Sequence, residues 1–404
     1  MRRERRATVV IAGAALLLGG GLTPGASAQT AATTRHTVVA TGLDNPRGVD
    51  VGPNGTVFVA ESGAGGTTLV QAQIEGEPSP VCVGNTGGVT AVLGDVQLRI
   101  TTLPSFASAV EGPGGTPGCA GTGAEAVGPS DIAVGGGRVA VTMGLGGNVA
   151  VRDQLPASVR SLFGTVRAVR GGETTQLADL AAYEEVNNPV GEVDSNPYGL
   201  AWLPGRGYLA TDAGGNDLLA VTTAGKATPT VTTVAGFPDL PARPFVPPSC
   251  ASQAPPGSFP PAGTPIPPQA VPTTVEAGTN GTYYVGFLTG FPFFQGAARI
   301  LRVSPSGRTS VFASGLTHVV GLDLAPDGAL YAVELSTTSL LESFCGTPVT
   351  GDVVRFSRGR RTVVATGLPE PGGVAVAPDG SFYVSVNSTS AGEGELWRFA
   401  KPTR

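Results

Sequence analysis

Short apolar runs recur in pairs along this chain, each pair split by a tight polar turn. The clearest pairs are RGVDVGPNGTVFVAES (47–62), VGLDLAPDGALYAVELS (320–336) and GGVAVAPDGSFYVSVNS (372–388). Weaker ones are SDIAVGGGRVAVTMG (130–144), YGLAWLPGRGYLATDAG (198–214) and PTTVEAGTNGTYYVGFL (272–288). The runs alternate or stay apolar, as half-buried and buried strands do. PNG, PDG and TNG are turn chemistry: proline presets φ, and Asn-Gly or Asp-Gly supplies the positive-φ positions of a hairpin turn. Third strands follow in GVTAVL (88–93), ARILRV (298–303), DVVRFS (352–357) and ELWRFA (395–400), and a fourth in TSVFASGL (309–316).

Each unit therefore predicts a four-stranded antiparallel sheet, which cannot cover both of its faces alone. Six such sheets stacked radially can, leaving only short edges. The expected fold is all-β: a six-bladed β-propeller of four-stranded antiparallel blades. First strands fall near Val49, Ile132, Leu200, Val275, Leu322 and Val374, at spacings of 83, 68, 75, 47 and 52 residues. The long spacings imply loop insertions. The second unit is weakly marked, which leaves five or seven blades as alternatives. HTVVATGL (36–43) and RTVVATGL (361–368) agree at seven of eight positions. The later copy reads as the outer strand of blade five. The last unit stops after ELWRFA and lacks an outer strand, so the N-terminal copy is expected to close blade six by pairing with 395–400.

Composition supports strands over helices: 61 Gly, 35 Pro and 14% charged residues suit short strands and turns. At the N-terminus, MRRERR, the apolar ATVVIAGAALLLGGGL and ASA before Gln29 read as a signal peptide over residues 1–28. That leaves 29–404 as one propeller domain with a Pro-rich insertion at 238–272. The apolar run is shorter than the roughly 20 residues a membrane anchor needs. The Arg pairs leave Sec and twin-arginine export both open. Removing 1–28 takes away four Arg and one Glu and moves the net charge from −5 to −8. This argues against nucleic acid and against anionic membranes. A secreted monomer is expected, with a small molecule, a glycan or another exported protein as its partner.

Cys82, Cys119, Cys250 and Cys345 predict two disulfides in an exported chain. Of three connectivities, Cys82–Cys119 and Cys250–Cys345 are favoured, because each pair sits in apparent insertions rather than in strands. A cysteine metal site needs closer spacing.

In a propeller, the turns between first and second strands lie on one face. The second-to-third loops and the links between blades lie on the other. The second face carries nearly all the insertions here, and binding groups are placed on such loops. The links supply Asn45, Arg47, Asp131, Asn188, Asp194, Asn196 and His318 as candidates. The loops supply Glu61, Asp212, Asn216, Asp217, Phe287, Phe291, Glu334 and Asn387. Hard oxygen ligands suit Ca2+, with Asp194, Asn196 and Asp212 as the candidate set. DSNPYG begins like a calcium loop, but Tyr198 at its fifth position and Gly205 at its twelfth rule out an EF-hand. Phe287, Phe291, Phe293 and Phe294 crowd GFLTGFPFFQG, the mark of a pocket or an interface. Residues 238–272 hold 13 prolines in 35 positions. That stiff segment is expected to extend into solvent rather than cover the mouth. HExxH, GxSxG and Walker motifs are absent. His36 falls in the closing strand, so His318 is the one histidine at the mouth and the one acid–base candidate there.

NPRGVDVGPNGTVFVAES, GPSDIAV, YEEVNNPVGEVDSNPYGLA, DAGGNDLL, LTGFPFFQGAARILRV and GGVAVAPDGSFYVS together resemble the ScyD/ScyE family over roughly 36–400. These are exported, NHL-like propeller proteins named after the scytonemin pigment pathway. The resemblance implies a role in late extracytoplasmic steps on an indole–phenol compound. One departure is Phe287, where relatives tend to carry an acid, which weakens a carboxylate mechanism on that blade. The leading expectation is a binding module for a small aromatic compound, glycan or protein. The alternative is an enzyme: a calcium-assisted, lactonase-like hydrolase or a tailoring enzyme for an aromatic metabolite. No catalytic residue is assigned by spacing.

Overall fold

The turn sequences shape the chain first. In the computed structural model, GPNG, APDG and APDG place only their glycines in the left-handed region: Gly55, Gly328 and Gly380 at φ 81°, 78° and 85°. Asn54, Asp327 and Asp379 act differently from the expectation. Their side chains accept the N–H two residues on, from Thr56, Ala329 and Ser381 at 3.2, 3.0 and 2.8 Å. The turns are four-residue loops pinned by an Asx side chain, a role these residues favour.

The structure describes residues 34–402 apart from 75–76, 113–114, 121–122, 189–190 and 192; the expected signal peptide lies outside them. The hairpins assemble into six antiparallel blades, counted from the channel outward. Blade one is Pro46–Val51, Val57–Glu61, Val81–Leu93 and Val96–Ser108, with Thr68–Val70 added beside the third strand. Blade two is Pro129–Gly135, Arg138–Met143, Thr165–Arg170 and Glu173–Asp179. Blade three is Pro197–Leu203, Gly207–Asp212, Asp217–Thr222 and Thr230–Gly236. Blade four is Pro272–Ala277, Tyr283–Phe287, Ala298–Val303 and Thr309–Leu316. Blade five is Val319–Leu324, Leu330–Glu334, Thr350–Ser357 and Arg360–Pro369. Blade six is Val374–Val376, Phe382–Val386 and Gly394–Phe399, completed by Thr37–Leu43 from the N-terminus. The closing register is Thr37↔Arg398, Val38↔Trp397, Ala40↔Leu396 and Leu43↔Gly394. His36 stacks on Trp397 with ring centres 3.6 Å apart, and Thr34 exchanges hydrogen bonds with Thr366 of blade five.

Apolar side chains fill the spaces between neighbouring blades. Val49, Val57, Val59, Ala375 and Leu396 seal blade six to blade one. Ala298, Ile300, Leu322, Leu330 and Val354 do the same for blades four and five. Burying each such large side chain contributes about 1.5–3 kcal/mol, so the ring is held mainly by these faces. Near the channel the inner strands approach so closely that glycine is required. A Cβ on Gly48 would lie 1.8 Å from Asp131 Oδ1, and one on Gly199 would lie 2.6 Å from Thr274 Cα.

The disulfides are Cys82–Cys119 and Cys250–Cys345. Cys82 itself sits in the extended third strand of blade one rather than in a loop. The Pro-rich insertion does not extend into solvent. Phe245 is buried and packs in one apolar cluster with Tyr198, Val271, Leu288, Phe293 and Leu341, with Phe259 and Ile266 against it. The Cys250–Cys345 bond and hydrogen bonds from Ser249 to Glu342 staple the insertion to blade five. Apolar residues spaced among the prolines outweigh the stiffness that suggested a free segment. One helix, Leu180–Asn187, was not expected; Asp179 caps it by accepting from Ala182 N–H at 2.9 Å. Among the described residues no helix is long and apolar enough to cross a membrane.

Candidate functional site

The acids that end the second strands of alternate blades do one recurring job. Glu61, Asp212 and Glu334 each accept a backbone N–H from the link entering their own blade. The donors are Asp44, Asn196 and Thr317, at 2.8, 2.6 and 2.6 Å. Outer-strand arginines complete two of these sites: Arg99–Glu61 at 2.7 Å and Arg361–Glu334 at 3.1 Å. Asp212 instead takes Ser195 Oγ at 2.6 Å and the N–H groups of Gly214 and Gly215 at 3.1 and 3.0 Å. Burial still pushes all three carboxyls above their ordinary range, against the pull of these donors. On blade four Phe287 occupies the equivalent place, and the Arg299 guanidinium lies 5.6 Å from its ring centre. A cation–π contact there replaces an ion pair.

The links are equally committed to the fold. Asn45 sits at φ 49° and donates to Gly63 O and Gly123 O at 2.7 and 2.5 Å. Asn216 bonds Val271 N–H at 2.8 Å and Gly214 O at 3.1 Å. Asn196 Oδ1 accepts from Leu145 N–H at 3.2 Å, Asn387 donates to Glu393 O at 3.0 Å, and Asn188 donates to Glu184. Arg47 is buried at the channel entrance with Nη1 3.5 Å from the Tyr198 hydroxyl. Asp194 is buried beside Gly214. Asp217 is fully buried at the start of the third strand of blade three.

Two members of the expected calcium trio are already engaged within the fold. Asp212 already carries four donors, and Asn196 Oδ1 faces Leu145. Among the described residues no three His, Cys, Asp or Glu side chains form a ready metal-binding group.

Asp131 belongs to the channel wall rather than to the mouth. It accepts from Ile132 N–H and, across to blade three, from Leu200 N–H, each at 2.8 Å. Asp50, Glu276 and Asp323 join it there, around a cavity of about 40 Å³ that has room for a few waters. Asp50 also latches the next blade, through Val134 N–H at 2.6 Å, and Asp323 does so through Val376 N–H. Burial raises Asp50 to about 8, Asp131 to about 7 and Asp323 to about 6, and Glu276 rises well above its usual range. Mutual repulsion adds to the shift at Asp50, Asp131 and Glu276. Asp50, Glu276 and Asp323 escaped the sequence reading. Their signal is an acid between apolar neighbours at one position of three inner strands: VDV, VEA and LDL.

At the covered side of the mouth, aromatic rings run in a train from the insertion to His318. Phe259–Phe245, Phe245–Phe291, Phe291–Phe293 and Phe293–His318 have centres 6.5, 6.0, 6.3 and 6.1 Å apart. His318 Nδ1 lies 3.0 Å from Leu288 O, which places the ring proton on Nδ1 and leaves Nε2 as an acceptor. Burial pushes its pKa down to about 4; the Leu288 and Thr338 backbone groups oppose the shift without cancelling it. Among the described residues neither Nε2 of His318 nor Oγ1 of nearby Thr289 has a well-formed partner, and both residues are fully buried.

No family model and no curated protein matches the chain. Several solved structures are similar to it at a low level. A streptogramin B lyase structure is similar at 12% identity, with 90% of this chain and 96% of that chain covered and a TM-score of 0.44. The PQQ-bound aldose sugar dehydrogenase of Streptomyces coelicolor gives 16%, 68%, 82% and 0.40 for the same quantities. A gluconolactonase of Xanthomonas campestris gives 13%, 92%, 89% and 0.35. Likeness at this level carries none of their chemistry to this chain.

Proposed function

We propose that the chain is an exported binding protein that takes a small aromatic compound beneath the Pro-rich roof, beside His318. One observation carries this reading: among the described residues, fully buried Thr289 Oγ1 has no hydrogen-bond partner and His318 Nε2 has only the Thr338 backbone nearby, without a well-formed bond, next to a train of phenylalanines. Buried polar groups are normally satisfied. An aromatic ligand with one hydrogen-bonding group would satisfy them while stacking on Phe291 and Phe293. The ScyD/ScyE resemblance, with its indole–phenol chemistry, points the same way, and the two disulfides suit an exported chain. The hydrolase alternative draws no such support, because Asp212 is already committed to four donors of its own chain.

The test is saturation-transfer NMR with indole and p-cresol as probes. Both are expected to receive saturation from the wild type and to lose most of it in Phe291→Ala and His318→Asn. Asparagine tolerates the φ of 52° at position 318, so that variant keeps the backbone. No transfer to either probe, in the wild type and in a roof-opened Cys345→Ser variant alike, overturns the reading.

A further inference from the structure

Behind the mouth, between blades two and three, the helix Leu180–Asn187 covers a buried acidic site apart from the ligand place proposed beside His318. Asp217 is fully buried, and among the described residues neither of its carboxylate oxygens has a hydrogen-bond partner. Glu184, on the helix, is equally buried; its carboxyl accepts from Asn188 at Oε1 and is also held by the Asp194 backbone, while among the described residues its Oε2 has no well-formed bond. The two carboxyls and Asp212 are close enough to repel one another. The loop between them packs closely on the helix, since a Cβ on Gly215 would lie 3.0 Å from the Glu184 carboxyl.

A buried carboxylate without a countercharge is strongly disfavoured, and this site holds two. No lysine, arginine or histidine among the described residues forms an ion pair with either. A proton on each would remove the charge but would leave the Asp217 oxygens without hydrogen-bond partners among the described residues. A divalent cation would neutralise both and use the oxygens that hydrogen bonding leaves over. We propose that Asp217 and Glu184 hold a calcium ion that pins the helix Leu180–Asn187 to blade three. Two carboxylates need completing by backbone oxygens and water. Calcium accepts such mixed and irregular oxygen shells, whereas magnesium demands near-octahedral geometry. This set differs from the one expected from the sequence, sharing neither Asp194, Asn196 nor Asp212. The raised pKa values of both groups, Glu184 to about 8 and Asp217 well above its usual range, describe the same unmet need when only protons are available.

The experiment uses the whole mature chain, treated with chelator and then supplied with calcium chloride. Native mass spectrometry is expected to show one calcium bound, and the Tm to rise with calcium and fall with chelator. Magnesium chloride is expected to give a much smaller rise. Asp217→Asn and Glu184→Gln should each abolish the calcium response. Glu276→Gln, in the channel, should keep it. Three results overturn the proposal: no bound metal with an unchanged Tm, calcium retained by both site variants, or a calcium response lost only in Glu276→Gln. In the first case an Asp217→Asn chain at least as stable as the wild type identifies a buried proton as the neutralising partner. If Asp217→Asn does not fold, calorimetric titration of the wild type and of Glu184→Gln with calcium gives the same decision.

Discussion

Glu61 shows what a single residue does in this ring. It is buried, and it ties the link from blade six to the second strand of blade one through Asp44 N–H, Thr90 Oγ1 and Arg99. Removing the arginine leaves a buried charge with two neutral donors. Arg99→Ala is therefore expected to destabilise by about 2 kcal/mol, less than breaking a fully buried pair because Arg99 is 31% exposed, as read from denaturant unfolding. Arg361→Ala should cost less, because Arg361 is 42% exposed and solvent screens its pair with Glu334. Equal losses would show that the backbone bonds, not the ion pairs, carry these sites. The repeated acids at strand ends were legible in the sequence. Their use was not: a carboxylate before a loop reads the same whether it meets a ligand or the chain's own N–H groups. Phe287 shows why. It fills an acid's place with a ring against Arg299, which only packing reveals.

At the level of elements, alternation and turn chemistry gave the inner two strands of every blade and the outer strands of blades four to six, but not the outer strands of blades two and three. Thr309–Leu316 matches the fourth strand read from TSVFASGL, and Thr37–Leu43 closes blade six. Other elements also escaped, two of them at the mouth. The helix Leu180–Asn187 has only a short apolar face, and the insertion hides three widely spaced anchors, Phe245, Phe259 and Ile266, among its prolines. The disulfide spanning 95 residues should matter to both roof and fold. In the chain-entropy view a loop of that size contributes roughly 4 kcal/mol. Cys345→Ser paired with Cys250→Ser should lower the Tm and expose 238–272 to limited proteolysis before the rest of the chain. Cleavage elsewhere first would mean that the roof is held by its phenylalanines alone. The closing strand has a sharper signature. Deleting residues 29–43 removes the His36–Trp397 stack and the partner of Gly394–Phe399. Trp397 emission should then move to the red, with early loss of cooperativity on heating. An unchanged spectrum would place the closure elsewhere.

For the molecule as a whole, the channel sets the sign of the response to pH. Asp50, Asp131, Glu276 and Asp323 all titrate above their unfolded values when folded. Between about pH 4, where unfolded carboxyls ionise, and the raised values, the folded state holds the extra protons. Stability therefore falls as pH rises through that window. His318 works in the opposite sense, but only below its unfolded pKa of about 6.5, since its folded value lies near 4. The clean window is thus pH 6.5 to about 8, where the channel acts and the histidine does not. With calcium saturating, so that Glu184 and Asp217 stay fixed, the Tm is expected to drop steadily across that range. Glu276→Gln removes the charge that Asp323, Asp50 and Asp131 repel. It should raise the Tm at pH 8 and flatten the slope, while changing little at pH 5, where the group is already protonated. A wild-type Tm that stays level or climbs from pH 6.5 to 8 would mean that the four carboxyls share the channel as anions, with a cation of their own among them.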